Sequence, residues 1–317
     1  MRFLVVGAGS WGTAFTRVLL DRGQEVVLAC HTAEQAEAIS RNGWNPRYLQ
    51  SVDLRDVDAV PLADPPADVD FVVLAVPSRA FTEVLAALPG DAPVLSLAKG
   101  LDPATGERLS TRVRSRPVAV LSGPNMAEEI AEGLPTAAVV ASEDGFLAAR
   151  LQHALNSALF RAYVNPDVVG VELCAAAKNV IALAAGGVDG LRLGDNAKAA
   201  VIARGLAEIT RLGEAAGARP ETFAGLAGLG DLVVTCWSRH GRNRHAGELI
   251  AQGLSPEQAV AEIGQTVEGL TTAPVLRDLS HRLGVELPIT EGVCAVLSGQ
   301  SLTDLVSRLM GREPTEE

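Results

Sequence analysis

Short apolar segments alternate with helical or loop segments over the first half of the chain. The apolar segments predict seven β-strands. They cover residues 2–6, 25–29, 71–75, 94–97, 118–121, 137–141 and 160–164. Because helical or loop segments separate the strands, this half predicts an α/β fold, with a parallel, doubly wound sheet that carries helices on both faces.

The pattern changes after Asn165-Pro166-Asp167, where the strands cease. Apolar residues then recur at the spacing of amphipathic helices. These segments are 172–185, 196–216, 256–263, 268–283, 290–297 and 302–310. The 317 residues also exceed the length of one typical domain. The sequence therefore predicts an α/β domain over residues 1–165 and a mainly α-helical domain over residues 166–317, which ends in an acidic tail.

A glycine-rich turn follows the first predicted strand and opens a predicted helix over residues 13–22. Its sequence is Gly7-Ala-Gly9-Ser-Trp-Gly12. Such a turn bends sharply at its first glycine, lets a pyrophosphate approach the backbone at its second, and packs the helix closely at its third. The free amides at the helix N-terminus attract phosphates. These features predict a dinucleotide site in a Rossmann-type sheet, with an ordinary tight turn as the alternative.

The end of the second predicted strand bears on which dinucleotide binds. An acidic residue usually grips the adenosine ribose there, whereas this chain has Ala29-Cys30-His31-Thr32. No carboxylate is present there to repel the 2′-phosphate of NADP(H), so the site admits NADP(H) as well as NAD(H). A protonated His31 could contact that phosphate. Alternatively, His31 is only a surface residue before a helix. Thr32 and Gln35 predict a capping box at the start of that helix, and Asn42-Gly43 predicts its end.

Composition narrows the classes of partner. The formal net charge of −11 argues against nucleic acid and against an anionic membrane surface. No apolar run reaches the roughly 18–20 residues of a membrane helix, and the chain starts on a strand without signal-peptide architecture, so we expect a cytoplasmic protein without membrane insertion. The four cysteines are far apart, which predicts neither a metal site nor a disulfide framework.

Two polar residues interrupt apolar segments of the helical half. Lys178 lies in Cys174-Ala-Ala-Ala-Lys178-Asn179, where burial would lower its pKa and make it a proton donor or acceptor near neutral pH. The alternative is a lysine that reaches solvent or pairs with a carboxylate. Asp231 lies in a glycine-bordered apolar segment before Thr235, where it is either a charge partner or a helix N-cap.

Further candidates surround these two residues. Residues 238–245 form the densest cationic cluster of the chain, and its arginines at positions 239, 242 and 244 suit bidentate capture of a phosphate, unless they are solvated surface. Lys99 and the turn Ser122-Gly123-Pro124-Asn125 follow predicted strands. They would lie at the carboxyl edge of the sheet, where doubly wound folds bind ligands. A plain loop lysine and a structural turn are the alternatives there.

Together these motifs resemble the NAD(P)-dependent glycerol-3-phosphate dehydrogenases over nearly the whole chain. The shared motifs are residues 7–14, 98–101, 122–125, 177–180, 228–232 with 235–236, 241–244 and 267–269. The resemblance implies reversible reduction of dihydroxyacetone phosphate to sn-glycerol 3-phosphate, with a hydride from NADPH or NADH. It also implies a homodimer and a role in phospholipid synthesis.

The resemblance assigns roles to individual residues as well. It makes Lys178 the catalytic proton donor and acceptor. It places the substrate beside Lys99, Gly123, Asn125, Lys178, Asn179, Asp231, Thr235, Gly241, Arg242 and Asn243. It places the cofactor beside Gly7, Gly9, Ser10, Trp11, Gly12, His31, Tyr48, Lys99, Ala127, Arg242 and Glu268. The chain departs from most bacterial members at Asn125, Gly241 and Ala29, where those members carry Ser or Thr, Ser, and often Trp.

Two other functions fit parts of the sequence. Another two-domain hydroxyacid or hydroxyacyl dehydrogenase would share both halves of the chain but would not need the Gly-Arg-Asn-Arg signature at residues 241–244. A non-catalytic NAD(P)-binding redox sensor would need only the first half and would have no use for Lys178 with Asp231.

Overall fold

The computed structural model describes residues 1–303, in which an eight-stranded sheet precedes a group of helices. The strand order across the sheet is β3-β2-β1-β4-β5-β6-β7-β8. The strands are β1 (Arg2–Val6), β2 (Glu25–Cys30), β3 (Asp58–Pro61), β4 (Phe71–Leu74), β5 (Val94–Ser96), β6 (Val118–Ser122), β7 (Thr136–Ala141) and β8 (Phe160–Asn165). The central strands are almost entirely buried because helices cover both faces of the sheet.

Two predictions about the sheet need correction. Strands β1 to β6 are parallel, but β7 runs antiparallel to β6, so the sheet is not wholly parallel. The connection from β6 to β7 holds only a five-residue helix, which does not carry the chain back along the sheet. Strand β3 was not predicted, because this short edge strand begins with Asp58, ends with Pro61 and lacks an apolar run.

Within residues 1–303, five α-helices accompany the sheet. They are α1 (Ser10–Leu20), α2 (Ala33–Asn42), α3 (Phe81–Ala87), α4 (Ala127–Ala131) and α5 (Gly145–Leu155). Thr32 caps α2 by accepting a hydrogen bond from the Gln35 amide, and Gly43 ends the helix in the left-handed conformation, as predicted. The Gln35 side chain does not complete the predicted capping box, since it donates to the Ala8 carbonyl at 3.0 Å and ties α2 to the glycine-rich turn.

The second half of the chain is helical, as predicted. Its helices are α6 (Val168–Gly190), α7 (Gly194–Ala215), α8 (Pro220–Ala224), α9 (Asp231–Trp237), α10 (Arg242–Ala251), α11 (Pro256–Ile263), α12 (Glu268–Leu283) and α13 (Pro288–Leu297). Helix α6 is longer than predicted because the Asp167 side chain caps it by accepting from the Gly170 amide at 2.9 Å. The helix predicted over residues 302–310 and the acidic tail lie mostly or wholly outside the described residues.

Helix α6 forms the core of the helical half. Its 23 residues are long and apolar enough, by length and composition, to cross a membrane, contrary to the expectation from the sequence. However, 89% of its most apolar window is buried inside the protein, where α7, α9, α10, α12 and α13 pack against it. Its apolarity therefore has the explanation usual for the core helix of a globular domain.

Candidate active site

A buried carboxylate, that of Asp231, joins four side chains from both halves of the chain. The residue is 1% exposed. Its Oδ1 accepts hydrogen bonds from Lys178 and, at 3.2 Å, from the Thr235 hydroxyl. Its Oδ2 accepts from the Lys99 ammonium at 3.0 Å and from the Ser122 hydroxyl at 3.1 Å. Residues predicted separately from the sequence thus meet at one carboxylate.

Local sequence explains how Asp231 comes to face inward. Helix α9 begins at Asp231, and Gly230 occupies its N-cap position without a side-chain hydrogen bond, so the alternative of Asp231 as an N-cap is wrong. The apolar side chain of Leu232 is fully buried beside it. Burial would raise the pKa of Asp231, but the ammonium groups of Lys178 and Lys99 outweigh it and hold the pKa below its usual value. The carboxyl group is therefore ionised.

Lys178 lies on α6 with 4% of its surface exposed, so it does not reach solvent. Its Nζ donates to Asp231 and, at 3.0 Å, to the Thr235 hydroxyl. Burial lowers the pKa of Lys178 to about 7, although Asp231 acts in the opposite direction, and the nearby Lys99 ammonium lowers it further. The sequence left open which effect is larger; in the structure it is burial.

Lys99 follows β5 and points into the same cluster, with 17% of its side chain exposed. Besides Asp231, its Nζ contacts the Asn125 Oδ1 at 2.6 Å and the Gly123 carbonyl at 3.2 Å. Two ammonium groups therefore share one carboxylate, which leaves a net positive charge in a mostly buried site. Such a site suits an anionic substrate or an oxygen that becomes negative during a reaction.

Asn125 presents a donor without a protein partner. The residue is 6% exposed, and its Oδ1 is used by Lys99, but its Nδ2 is buried with no hydrogen-bond partner among the described residues. Leaving such a group unsatisfied costs about 1–3 kcal/mol. The donor is therefore available for an oxygen atom of a ligand.

Asn179 and Asn243 form a chain of hydrogen bonds behind this cluster. The Asn179 Nδ2 donates to the Lys99 carbonyl at 2.8 Å, and its Oδ1 accepts from the Asn243 Nδ2 at 2.9 Å. The Asn243 Oδ1 accepts from the Gly269 amide at 2.9 Å. Both amides thus link the Lys99 segment to the start of α12.

The predicted cationic cluster divides into residues with different environments. Arg244 forms ion pairs with Asp189 at 2.7 Å and Glu248 at 3.1 Å, so its guanidinium is used inside the helical half. Arg242, the first residue of α10, is exposed and donates a hydrogen bond to the Thr266 carbonyl at 3.2 Å. Arg239 is exposed as well, and its Nε donates to the neighbouring His240 Nε2 at 3.1 Å. Because Arg244 is engaged in ion pairs, the three arginines do not capture a phosphate jointly, and Arg242 is the candidate that the family resemblance favours.

Gly241 precedes Arg242 and brings α10 close to α9. A side chain at this position would lie 2.7 Å from the Thr235 carbonyl oxygen. The small residue thus places the start of α10 beside the hydroxyl that contacts Lys178.

The glycine-rich turn after β1 has the geometry that its sequence predicts. Gly7 has a φ of +106°, and a Cβ there would lie 2.6 Å from the Ala75 carbonyl oxygen. A Cβ at Gly12 would overlap the Gly7 carbonyl. A Cβ at Gly9 would meet nothing within 4 Å, so the space beside its backbone is open.

These features fit a dinucleotide. Helix α1 starts at Ser10 without a side-chain cap and without an acidic residue in its first turn, so no cap or negative charge competes with a phosphate for its N-terminal amides. The Trp11 ring packs edge-on against Phe15, with centroids 5.6 Å apart, and its Nε1 is buried without a partner among residues 1–303.

The other predicted cofactor positions lie near this edge of the sheet. His31 is exposed directly after β2, which pairs with β1. Tyr48 is half-buried, and its amide donates to the Asn45 Oδ1 at 3.3 Å. Ala127 begins α4 and is buried.

Glu268 connects the two halves of the chain. This first residue of α12 accepts hydrogen bonds from the Ser78 amide at 3.1 Å and from the Ser78 hydroxyl at 2.7 Å. Ser78 follows β4, and its contact with Glu268 is formed at the same sheet edge as Lys99.

Two residues that shape the site, Asn45 and Ser78, were not predicted from the sequence. Asn45 is fully buried and donates to both the Ala8 carbonyl and the Thr13 hydroxyl at 2.9 Å, which fixes the glycine-rich turn. It lies in an irregular segment without periodicity, so its role had no signal. Ser78 follows β4 at the ligand edge of the sheet, and that position was the one available signal for it. Ser122 ends β6 and belongs to the predicted turn 122–125, but its contact with Asp231 was not predicted.

Comparison with known proteins identifies the family. Residues 3–148 match the family model for the NAD-dependent glycerol-3-phosphate dehydrogenase N-terminus, and residues 167–306 match the model for its C-terminus. The chain belongs to this family. It is therefore an NAD(P)-dependent oxidoreductase, and the predicted resemblance, fold class and cofactors are confirmed.

Individual relatives of this dehydrogenase family match over their full lengths. The glycerol-3-phosphate dehydrogenase [NAD(P)+] of Moorella thermoacetica is 45% identical over 99% of this chain and 96% of its own length. The glycerol-3-phosphate dehydrogenase [NAD(P)+] of Streptomyces griseus is 46% identical over 99% of this chain and 97% of its own length. The crystal structure of glycerol-3-phosphate dehydrogenase from Coxiella burnetii superposes with a TM-score of 0.93 at 36% identity, covering 98% of this chain and 99% of that one.

Proposed function

We propose that this chain reduces dihydroxyacetone phosphate to sn-glycerol 3-phosphate with NAD(P)H, reversibly, and so supplies the glycerol phosphate used for phospholipids. The observation that carries the proposal is the buried cluster of Lys178, Asp231 and Lys99, which lies where the ends of the sheet strands meet the helical half. The names of the relatives and the match of both family models support it.

The residues of the glycine-rich turn would hold the cofactor. The open backbone at Gly9 and the N-terminal amides of Ser10, Trp11 and Gly12 suit its pyrophosphate. The bound nicotinamide would supply the hydride. We propose that Gly7, His31, Tyr48, Lys99, Ala127, Arg242 and Glu268 complete this site.

Lys178 would transfer the proton. Reduction of the substrate carbonyl leaves negative charge on its oxygen, and an ammonium group with a pKa of about 7 can protonate that oxygen near neutral pH. Asp231 and Thr235 hold the Lys178 Nζ in place. Lys99 and the free Nδ2 of Asn125 would stabilise substrate oxygens. In the reverse reaction neutral Lys178 would accept the proton.

Arg242 would anchor the substrate phosphate. Its exposed guanidinium lies at the start of α10, next to Asn243 and one residue after Gly241. Guanidinium groups bind phosphate bidentately, and an anchored phosphate holds the carbonyl in a fixed position relative to Lys178. We propose that Gly123, Asn179, Thr235, Gly241 and Asn243 line the same substrate site.

We also propose that the domain boundary follows residue 165. Support comes from β8, which ends at Asn165, and from α6, which begins at Val168 and from Leu173 onward lies in an apolar core separate from that of the sheet. The family resemblance leads us to propose that the chain forms a homodimer in the cytoplasm. The net charge of −11 supports the proposal that it does not bind nucleic acid.

The activity can be tested by following NADPH oxidation spectrophotometrically. We expect turnover with dihydroxyacetone phosphate. Turnover with a 3-keto acid but not with this ketone phosphate would favour the hydroxyacid dehydrogenase alternative, and no turnover with any carbonyl compound would favour a redox sensor.

The phosphate anchor can be tested with Arg242→Ala. Loss of a charge-assisted contact should raise the KM for dihydroxyacetone phosphate about 10- to 100-fold, which is more than it raises the KM for NADPH. Arg161→Ala, which removes an exposed arginine from β8, is the control for lost charge. An unchanged substrate KM in Arg242→Ala would contradict the assignment.

A further inference from the structure

The last residue of β6 makes a contact that the proposed mechanism does not yet use. We propose that Ser122 is a positioning residue that fixes the Asp231 carboxylate between its two ammonium partners and thereby controls how readily Lys178 gives up its proton. This inference rests on the proposed function.

The contact is formed deep inside the protein. Ser122 is 1% exposed, and its hydroxyl donates to the Asp231 Oδ2 at 3.1 Å. Ser122 pairs with Val139 of β7 at the carboxyl end of β6. Its backbone is therefore part of the sheet, while Asp231 belongs to the helical half, so the hydrogen bond joins the two.

The four hydrogen bonds to Asp231 use the full accepting capacity of its carboxylate, which has about four lone-pair sites. The partners differ in rigidity. Lys99 and Lys178 reach the carboxylate with long, flexible stems, and Thr235 lies on the same helix as Asp231. Of the four, Ser122 is the one with a short side chain on a sheet strand. It therefore fixes the rotation of the carboxylate relative to the sheet.

The hydroxyl also changes the electrostatics of the cluster. A hydrogen bond donated by Ser122 stabilises the negative charge of Asp231 and weakens its pull on the Lys178 proton. Without that hydrogen bond the full carboxylate charge would act on Lys178. The pKa of Lys178 should then rise, so Lys178 should hold its proton to higher pH.

The other ionisable groups around Lys178 do not replace this effect. Lys99 and Asp231 are the charged groups that face it, from the segment after β5 and from α9. The thiols of Cys174 on α6 and Cys236 on α9 are kept neutral, because burial raises the pKa of each.

Several charged residues on the neighbouring helices are engaged elsewhere, and Arg242 on α10 is exposed. On α10, Arg244 pairs with Asp189 and Glu248. On α12, Glu268 binds Ser78. On α7, Lys198 pairs with Asp189 and Glu208 caps α13, while Glu291 on α13 contacts His281.

The test measures the pH dependence of kcat for NADPH-dependent reduction of dihydroxyacetone phosphate in wild type, Ser122→Ala and Ser122→Thr. Ser122→Cys, which fills the space of the hydroxyl with a somewhat larger thiol that donates weakly, serves instead of alanine if Ser122→Ala does not fold. Ser142→Ala is the matched control, because Ser142 is 3% exposed and donates to the Val118 carbonyl at the opposite end of β6. NADPH binding, followed by tryptophan fluorescence, verifies the fold of each variant.

We expect Ser122→Ala to lower kcat about tenfold with less than about a threefold change in substrate KM, and to move the alkaline decline of kcat to higher pH. Threonine should restore both, and Ser142→Ala should behave as wild type. If kcat of Ser122→Ala declined at the same pH as in wild type or at a lower pH, with or without a loss of kcat, the inference would be overturned. A wild-type enzyme without activity on dihydroxyacetone phosphate would instead refute the proposed function.

Discussion

Lys178 combines two properties that a lysine at the surface cannot have together. Burial in α6 makes its charged form costly, while Asp231 keeps that form accessible by hydrogen bonding to it. Lys99 prevents the carboxylate from binding the Lys178 proton too firmly, because it shares the same carboxylate. A group balanced in this way exchanges its proton near neutral pH.

The direction of the reaction should therefore determine the pH dependence. Reduction needs protonated Lys178, which is present below its pKa of about 7, so kcat for reduction should fall above that pH by about tenfold per unit. Oxidation of sn-glycerol 3-phosphate needs neutral Lys178, so its kcat should rise through the same range. Steady-state kinetics in both directions measure these two pH profiles. If kcat changed in the same direction with pH for reduction and for oxidation, Lys178 would not be the proton carrier.

His31 provides a separate prediction at the other end of the cofactor site. It is exposed directly after β2, where dinucleotide folds contact the adenosine ribose. In His31→Glu a carboxylate would repel the 2′-phosphate, so the ratio of kcat/KM for NADPH to that for NADH should fall at least about tenfold. The same substitution at exposed Ser40 is the control. Equal ratios in wild type and His31→Glu would place His31 away from the ribose.

At the scale of elements, helix α13 is attached to α7 through a buried carboxylate. Glu208 on α7 is 3% exposed, and it accepts hydrogen bonds from the Ile289 amide at 2.6 Å and the Thr290 amide at 3.4 Å in the first turn of α13. Burial raises the pKa of Glu208 to about 7, and these amides reduce that shift only partly. Folding thus favours the protonated form.

This shift predicts how stability depends on pH. The folded state binds the Glu208 proton more tightly than the unfolded state, so this group's stabilisation is complete below about pH 4.5 and is lost as pH rises to about 7. Urea unfolding measures the free energy of unfolding at about pH 5 and about pH 8. Between these two pH values wild type should lose about 1–3 kcal/mol more of that free energy than Glu208→Gln. Glu214→Gln, an exposed position on α7, is the control. An equal loss in wild type and Glu208→Gln would disprove the linkage.

Individual elements also show what the sequence can and cannot predict. The apolar runs of β1, β4 and β6 and the caps of α2 were readable because burial and capping act locally. The direction of β7 and the strand β3 were not, since both depend on pairing with distant strands. Pairing of that kind leaves little trace in a short, partly polar segment.

On the scale of the whole molecule, the site is formed only when the two halves meet. Lys178 and Asp231 were predicted as site residues because each is a charged residue in an apolar segment. Their contact joins residues 53 positions apart, so it could be inferred only through the family resemblance. The contacts of Ser122 with Asp231 and of Ser78 with Glu268 were not predicted, because they join residues 109 and 190 positions apart in the sequence. Whether Lys178 reaches solvent likewise depends on the helices that pack around α6, so the sequence left it open.

The central claim is that Lys178 supplies the proton for carbonyl reduction in the site between the two halves. The most direct test is kcat for NADPH-dependent reduction of dihydroxyacetone phosphate by Lys178→Met, which keeps an unbranched side chain of similar length, with NADPH affinity measured in parallel. We predict a loss of kcat of about 10²- to 10⁴-fold with nearly unchanged NADPH affinity. Turnover close to that of wild type would contradict the account.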